Sequence, residues 1–409
     1  MAQRRSKKIL LATASAATVF AVVGCSGGSE STSSAVATDF DGVSLTVWSS
    51  IPYDPYDTLQ RGYFETCAED LGITVEVETV ASDYSTKLLQ AASSSSLPDI
   101  ALLSTDNDLP TLAAEGVLTD LSDYGLTTDG MEDSVSVLGE YDDTLVGLPV
   151  QVENYAIFYN KTMFEDAGIT EFPTTFDGLV EAAKTLTTDD VYGAAFSGAD
   201  DGSTPLYFLS FLLSAGGDPA DPTGDGAVAA VDLYKQLVDE GAMSPEFVNW
   251  GWDAPDQWDA GTAAMTVSGP WNLVDPPEGI DYGVAAFPTA TDSDTSTVNL
   301  LGYAYGIPVQ SDTTKMAAAA ALIECRASEE NQVEVALQGG YIPALTAAQE
   351  EFVAQVPEAE TFVDAVSNSY NPAVLGTDWA TLQSVYTAAI QDVGVNGTSA
   401  ADALATASQ

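Results

Sequence analysis

The sequence predicts an α/β fold with a parallel sheet, on three observations. Short apolar runs alternate with period two, helix-length stretches separate them, and the chain of 409 residues is 45% hydrophobic, enough to bury a large core. Val43, Leu45 and Val47 share one face, the spacing of a half-buried strand. A helix-like stretch runs from Asp57 to Leu71, and residues 73–80 alternate again as Ile-Thr-Val-Glu-Val-Glu-Thr-Val. Tyr84 to Ala92 reads as a helix, and Asp99 to Leu103 is a short apolar strand bounded by Pro98. The order β-α-β-α-β requires right-handed crossovers between parallel strands and places ligands at the strands' carboxyl ends. Those ends carry Trp48, Ser49 and Ser50, then Ser104 to Asn107.

A second set of elements follows Pro149. Thr174 and Thr175 are placed to cap a helix whose Phe176, Leu179, Val180 and Ala183 fall at i, i+3, i+4 and i+7. A further helix from Gly226 to Glu240 carries Ala227, Val231, Tyr234 and Val238 on one stripe, with Gly241 as its stop. Both stripes read as core packing. From Lys315 onwards the chain is Ala-rich and helical in pattern, interrupted by Gly339, Gly340 and Pro343.

Charge and composition remove whole classes of function. Eleven basic residues face 61 acids, for a formal charge of −50. Such a surface repels phosphate backbones, so nucleic acid is not a partner. An anionic ligand needs a basic cluster, and none forms among Arg61, Lys87, Lys161, Lys184, Lys235, Lys315 and Arg326. The chain has no histidine, which removes the usual general base, the Ser-His-Asp and Cys-His arrangements and the commonest transition-metal ligand. No cofactor and no metal site is expected.

The N-terminus has the layout of a secretory signal over residues 1–24. Arg4, Arg5, Lys7 and Lys8 precede an uncharged stretch from Ile9 to Gly24, shorter than the roughly 20 residues of a membrane-spanning helix. It ends in Val22-Val23-Gly24-Cys25, which resembles the lipobox of bacterial lipoproteins and implies a diacylglycerol on the Cys25 thiol. Residues 25–38, rich in Gly and Ser, read as a flexible tether. Cys67 and Cys325 then remain as a pair, either bridged in an oxidising compartment or held as two buried thiols.

Residues 147–161, Gly-Leu-Pro-Val-Gln-Val-Glu-Asn-Tyr-Ala-Ile-Phe-Tyr-Asn-Lys, resemble the maltose-binding-protein-like family of ABC-transporter solute-binding proteins. There a Pro precedes an interlobe crossing and a Tyr-Asn-Lys segment opens the second lobe. Met163 to Ile169 and Pro173 to Leu179 are similar to the helices that follow, with Phe176 where Trp is more usual. Asp259 to Trp271 resembles the family's Ala-Met and Gly-Pro-Trp segment, and Gly283 to Pro288 and Leu301 to Ile307 continue the likeness in order. The resemblance implies a type II periplasmic-binding-protein-like fold. Each of its two lobes is a mixed sheet flanked by helices, joined by interlobe hinge strands. Lobe 1 would span 39–152 plus 300–338, and lobe 2 153–299 plus 339–409. Cys67 and Cys325 would both lie on first-lobe helices, which favours a bridge.

A neutral sugar presents hydroxyls all round and flat patches of C–H, so its site needs aromatic platforms with bidentate carboxylates and amides in a cleft. By the resemblance Trp271 is a stacking aromatic and Glu153 an interlobe carboxylate on the ligand, with Asn154 and Tyr155 adjacent. Trp48, Ser49, Asp106 and Asn107 lie at first-lobe strand ends. Tyr207, Trp250, Trp252, Gly302, Tyr303 and Trp379 complete the candidates.

The implied function is that of the substrate-binding component of an ABC importer. It would capture a neutral carbohydrate, an oligosaccharide, and deliver it to membrane permease subunits without chemistry. The protein is expected to be a monomer on the extracytoplasmic face of the bacterial cell membrane, anchored through Cys25. A cage for a cationic amine is the alternative, and three or more aromatics converging on one point would favour it. A secreted glycoside hydrolase with two carboxylates and a surface adhesin are the remaining readings.

Overall fold

Three parallel strands and two helices appear where the local periodicity puts them: β1 (Ser44–Ser49), α1 (Tyr56–Leu71), β2 (Thr74–Thr79), α2 (Tyr84–Ser94) and β3 (Ile100–Ser104). The structure, a computed structural model, describes residues 40–409 apart from 81, 275, 293 and 377. The expected signal segment, Cys25 and the tether lie outside the described residues. β1 runs between β2 and β3, parallel to both, with Leu45 opposite Val75 and Val47 opposite Val77 and Ile100. Side chains of a strand point alternately to its two faces. Ile100 and Leu102 therefore join the cluster built on Phe64, Cys67 and Met316, whereas Ala101 and Leu103 join Tyr84, Leu88 and Leu109. Gly72, in the left-handed region at φ 70°, ends α1 by donating to the carbonyls of Ala68 and Glu69.

The sheet does not stop at three parallel strands. Leu301–Gly306 lies beside β3 in antiparallel register, Tyr303 opposite Ser104, and its other edge pairs with Leu148–Glu153, Leu301 opposite Glu153. Ile342–Pro343 closes the far edge, giving six strands in all. Every residue of Leu148–Glu153 is buried, as expected of a strand covered on both faces.

Two residues beyond that strand the chain enters a second sheet. Ala156–Asn160 runs between Met265–Ser268 and Tyr282–Ala285, antiparallel to each. Around it pack the helices Phe176–Leu186, Ser203–Ser214, Asp225–Asp239 and Asp378–Asn396. The Thr175 hydroxyl oxygen accepts the Gly178 N–H at 3.2 Å, capping the first of these, and Phe176, Leu179, Val180 and Ala183 are all buried. Ser203–Ser214 is buried on nearly every side, the mark of a helix inside a lobe. Segments near Asn154 and Leu300 carry the chain between the two sheets, and a third, from Gly340 through the first sheet's edge strand Ile342–Pro343, leads it on towards the helix Asp378–Asn396. Cys67 on α1 is bonded to Cys325 on the helix Thr313–Arg326, their Cα atoms 5.9 Å apart.

Candidate functional site

A cavity of about 720 Å³ opens where these crossings meet, and two smaller ones of about 420 and 390 Å³ lie elsewhere. The loop after β1 supplies Ile51, Tyr53, Asp54 and Pro55 to the large cavity, and the start of α1 supplies Tyr56. The crossing strands supply Glu153 and Tyr303, the second sheet's side Trp252, Trp271 and Val274, and the third crossing Gln338, Gly339 and Tyr341.

Each wall is fixed from behind. The Ser49 hydroxyl donates to Gln60 Oε1 on α1 and accepts the Ile51 N–H, both at 3.3 Å, tying the loop down at its start. The Tyr56 hydroxyl donates to Gln151 Oε1 at 2.7 Å. The Tyr56 ring meets Tyr341 edge-on at 5.3 Å, and Tyr341 meets Tyr303 at 6.1 Å. On the opposite wall four rings close a circuit. Trp271 contacts Tyr155 at 6.1 Å, Tyr155 contacts Tyr207 at 4.8 Å, Tyr207 contacts Trp252 at 5.5 Å, and Trp252 lies 6.4 Å from Trp271. Edge-to-face contacts of this kind add to the burial that orients each ring. The Trp271 ring lies against Gly269, where a Cβ would come 2.3 Å from a ring carbon.

Glu153 is the buried carboxyl of the cavity lining, 8% exposed. Burial raises its carboxyl to about 8 and the charge of Asp106 adds to the rise, while the neighbouring Tyr155 hydroxyl draws it partly back. Asp106 is itself raised to about 6 by burial, its own backbone N–H opposing and Asp108 reinforcing the shift. Burial, then Glu153, raises the hydroxyls of Tyr155, Tyr207 and Tyr303 well above the ordinary tyrosine range. Among the described residues no ion pair engages Glu153, and no group of acids and cysteines is placed to hold a metal ion.

Of the residues singled out from the sequence, Glu153, Trp252, Trp271 and Tyr303 line the cavity. Tyr155 and Tyr207 stand behind Trp271 and Trp252, and Asp106 acts on Glu153 through its charge. The others go elsewhere for identifiable reasons. Trp48 packs under Tyr84, whose hydroxyl donates to the Trp48 carbonyl at 3.1 Å, and Ser49 turns inward to Gln60. Asn107 is exposed and donates to Ser85 at 3.2 Å, while Asn154 is buried and donates to the Phe362 carbonyl at 2.9 Å. Trp250 packs between two clusters, its carbonyl accepting from Gly198 and Ala199. Gly302 lies where a Cβ would come 2.7 Å from the Gln151 carbonyl oxygen. Trp379, 4% exposed, belongs to the second-lobe core.

Tyr53, Asp54, Tyr56 and Tyr341 are lining residues that the sequence reading omits. Two tyrosines flanking Asp54-Pro55 just beyond the carboxyl end of β1 were a usable signal, since that is where such sheets bind ligands. Tyr341 had only its place after Gly339 and Gly340 to mark it.

The sequence profile of the bacterial extracellular solute-binding proteins matches residues 62–361. A putative binding protein of Brucella abortus (strain 2308) is 28% identical over 254 residues, 57% of this chain; the chain spans 60% of that relative's length. The diacetylchitobiose binding protein DasA of Streptomyces coelicolor is 24% identical over 341 residues, covering 70% of this chain and 75% of that one. The structure of maltose-bound MalE3 of T. maritima superimposes with a TM-score of 0.76 at 20% identity, over 89% of this chain and 98% of that one, which shows a shared two-lobed fold.

Proposed function

The chain belongs to the bacterial extracellular solute-binding protein family, and from that premise we propose that it is the substrate-binding component of an ABC importer that captures a carbohydrate in the cleft. The carrying observation is the lining. Trp252 and Trp271 stand on one wall, Tyr53, Tyr56, Tyr303 and Tyr341 on the other, and a single buried carboxylate, Glu153, sits on the strand that joins the lobes. Aromatic surfaces match the C–H faces of a sugar ring, and a carboxylate accepts two of its hydroxyls. The names of DasA and of the maltose complex support the same substrate class.

Members of the family are binding proteins, and the mechanism derived for this chain is capture without covalent chemistry. Ligand entering the open cleft engages one wall first. Closure adds the other, so ligand shifts the population towards the closed form. A membrane permease then reads the closed surface. The chain acts as a monomer, held at the outer face of the membrane by a lipid on Cys25, with no catalytic step. Among the described residues no helix is long and apolar enough to cross a membrane.

A thermal-shift screen against mono- and oligosaccharides tests the reading. A ligand at about 100 times its dissociation constant adds roughly 2.7 kcal/mol, a readable rise in melting temperature. Silence across the saccharides with a shift from simple amines would remove the carbohydrate and leave the family.

A further inference from the structure

We propose that the sugar taken by this cleft is a basic one, carrying a protonated amino group that pairs with Glu153 among the lining aromatic side chains. The proposal rests on the carbohydrate reading and narrows it, replacing the neutral ligand expected from the sequence.

The first ground is the make-up of the cavity wall. Six aromatic side chains line it, with two carboxylates, Asp54 and Glu153, one amide, Gln338, and no asparagine, serine, threonine, lysine or arginine. A neutral sugar calls for donors and acceptors distributed around its ring of hydroxyls. Here the neutral polar groups of the lining are the Gln338 amide, four tyrosine hydroxyls, of which that of Tyr56 already donates to Gln151, and two indole N–H groups, and its charged groups are both acidic. Aromatic groups around a carboxylate are the lining that recognises an ammonium, because the ring quadrupole attracts the cation and the carboxylate balances its charge.

The second ground is a buried carboxyl with no cationic partner. Glu153 is 8% exposed and faces Asp106, the other groups around it being the hydroxyls of Tyr155 on its own crossing, Tyr207 on the helix Ser203–Ser214, and Tyr303 and Tyr341 on the other two crossings, which stay neutral. Basic side chains are engaged elsewhere: Arg61 with Asp57, Lys161 with Asp281, Lys184 with Glu181 and Glu240, Lys235 with Asp239 and Lys315 with Asp99. Lys87 is on α2 and outside the cleft, and Arg326 is buried against the rings of Tyr63 and Tyr305. A buried anion beside a like charge is unfavourable until a cation joins it. An ammonium supplies that cation and a hydroxyl does not.

Protonation follows from the same geometry. With its carboxyl raised to about 8, Glu153 holds a proton at neutral pH in the empty cleft. On binding, that proton goes to solvent and the carboxylate pairs with the ammonium, so the complex gains one ion pair and releases one proton.

Calorimetric titration of the purified protein with matched saccharides decides the matter. The probes are glucosamine, galactosamine and their oligomers, each beside the neutral sugar of the same length and linkage. We expect the basic member of a pair to bind at least tenfold more tightly at pH 7. Repeating the titration in buffers of different ionisation enthalpy should show close to one proton released. Neutral members binding as tightly or more tightly overturn the proposal and leave the carbohydrate reading intact, whereas an absence of binding by every saccharide overturns both. Glu153→Gln should bring the two members of a pair to near equality, and a preference that survives it overturns Glu153 as the seat. Should that variant not fold, the paired titrations on the unaltered protein carry the decision, and equal affinities within every pair overturn the proposal.

Discussion

Gly340 lies directly against the backbone of Trp271: a Cβ on Gly340 would come 2.3 Å from the Trp271 Cα and 2.9 Å from its nitrogen. Gly340 also closes the helix Glu329–Gly339 in the left-handed region at φ 69°, where a side chain is strained whatever the space. The third crossing therefore reaches the backbone of the cleft tryptophan only because residue 340 has no Cβ. Gly340→Ala should weaken ligand binding tenfold or more and lower stability by about 1–3 kcal/mol, checked by calorimetry alongside denaturant unfolding. Undiminished affinity would show that Trp271 does not depend on this contact.

Two tryptophans should respond in opposite ways. Trp271→Ala removes a cavity wall and is expected to cost 2 kcal/mol or more of binding, as buried aromatic anchors do. Trp379→Ala empties a core position and should cost about 3–5 kcal/mol of stability while the folded fraction keeps its affinity. Measuring melting and binding on both variants separates the roles.

Glu153 makes the free protein less stable in alkali. Below about pH 4.5 the carboxyl is protonated folded and unfolded alike. Between there and about 8 the unfolded chain ionises it while the folded chain holds the proton, so stability falls as pH rises and the loss is complete above about 8. Glu153→Gln should therefore raise the melting temperature at pH 8 and leave it nearly unchanged at pH 4, in the absence of ligand. An equal effect at both values would place the carboxyl's burial in error.

Removing the bond between Cys67 and Cys325 acts on stability and not on recognition. Both cysteines pack with the first sheet's cluster, and neither is part of the cavity lining. Replacing the two with serine should lower the unfolding free energy by about 2–5 kcal/mol, with binding at low temperature unaltered. A loss of affinity there would mean that the bond also shapes the cleft.

How much of this was legible follows from the range of each interaction. The β1-to-β3 unit could be read because its alternation and its helices are local, and the helix beginning at Phe176 carries its own cap in Thr175. The resemblance put residues 300–338 in the same lobe, but the place of Leu301–Gly306 beside β3 was not legible in the local pattern, since it depends on a register set some 200 residues away in the chain. The same holds for the cavity. Glu153 and Trp271 were reachable through motifs that resemble a known family. Tyr341 enters the wall only because the third crossing brings it against Tyr56 and Tyr303. Trp379 opens the 19-residue helix Asp378–Asn396, and only three-dimensional packing tells a rim tryptophan from one on that helix's buried side.

The bond between Cys67 and Cys325 spans 258 positions, and nearly all of the second sheet's chain lies inside that span. Topologically that sheet is an excursion from a ring whose two ends are already riveted together. A protease working outside the cell can sever the backbone once anywhere between those cysteines, and the two fragments still travel as one covalent molecule until a reductant parts them.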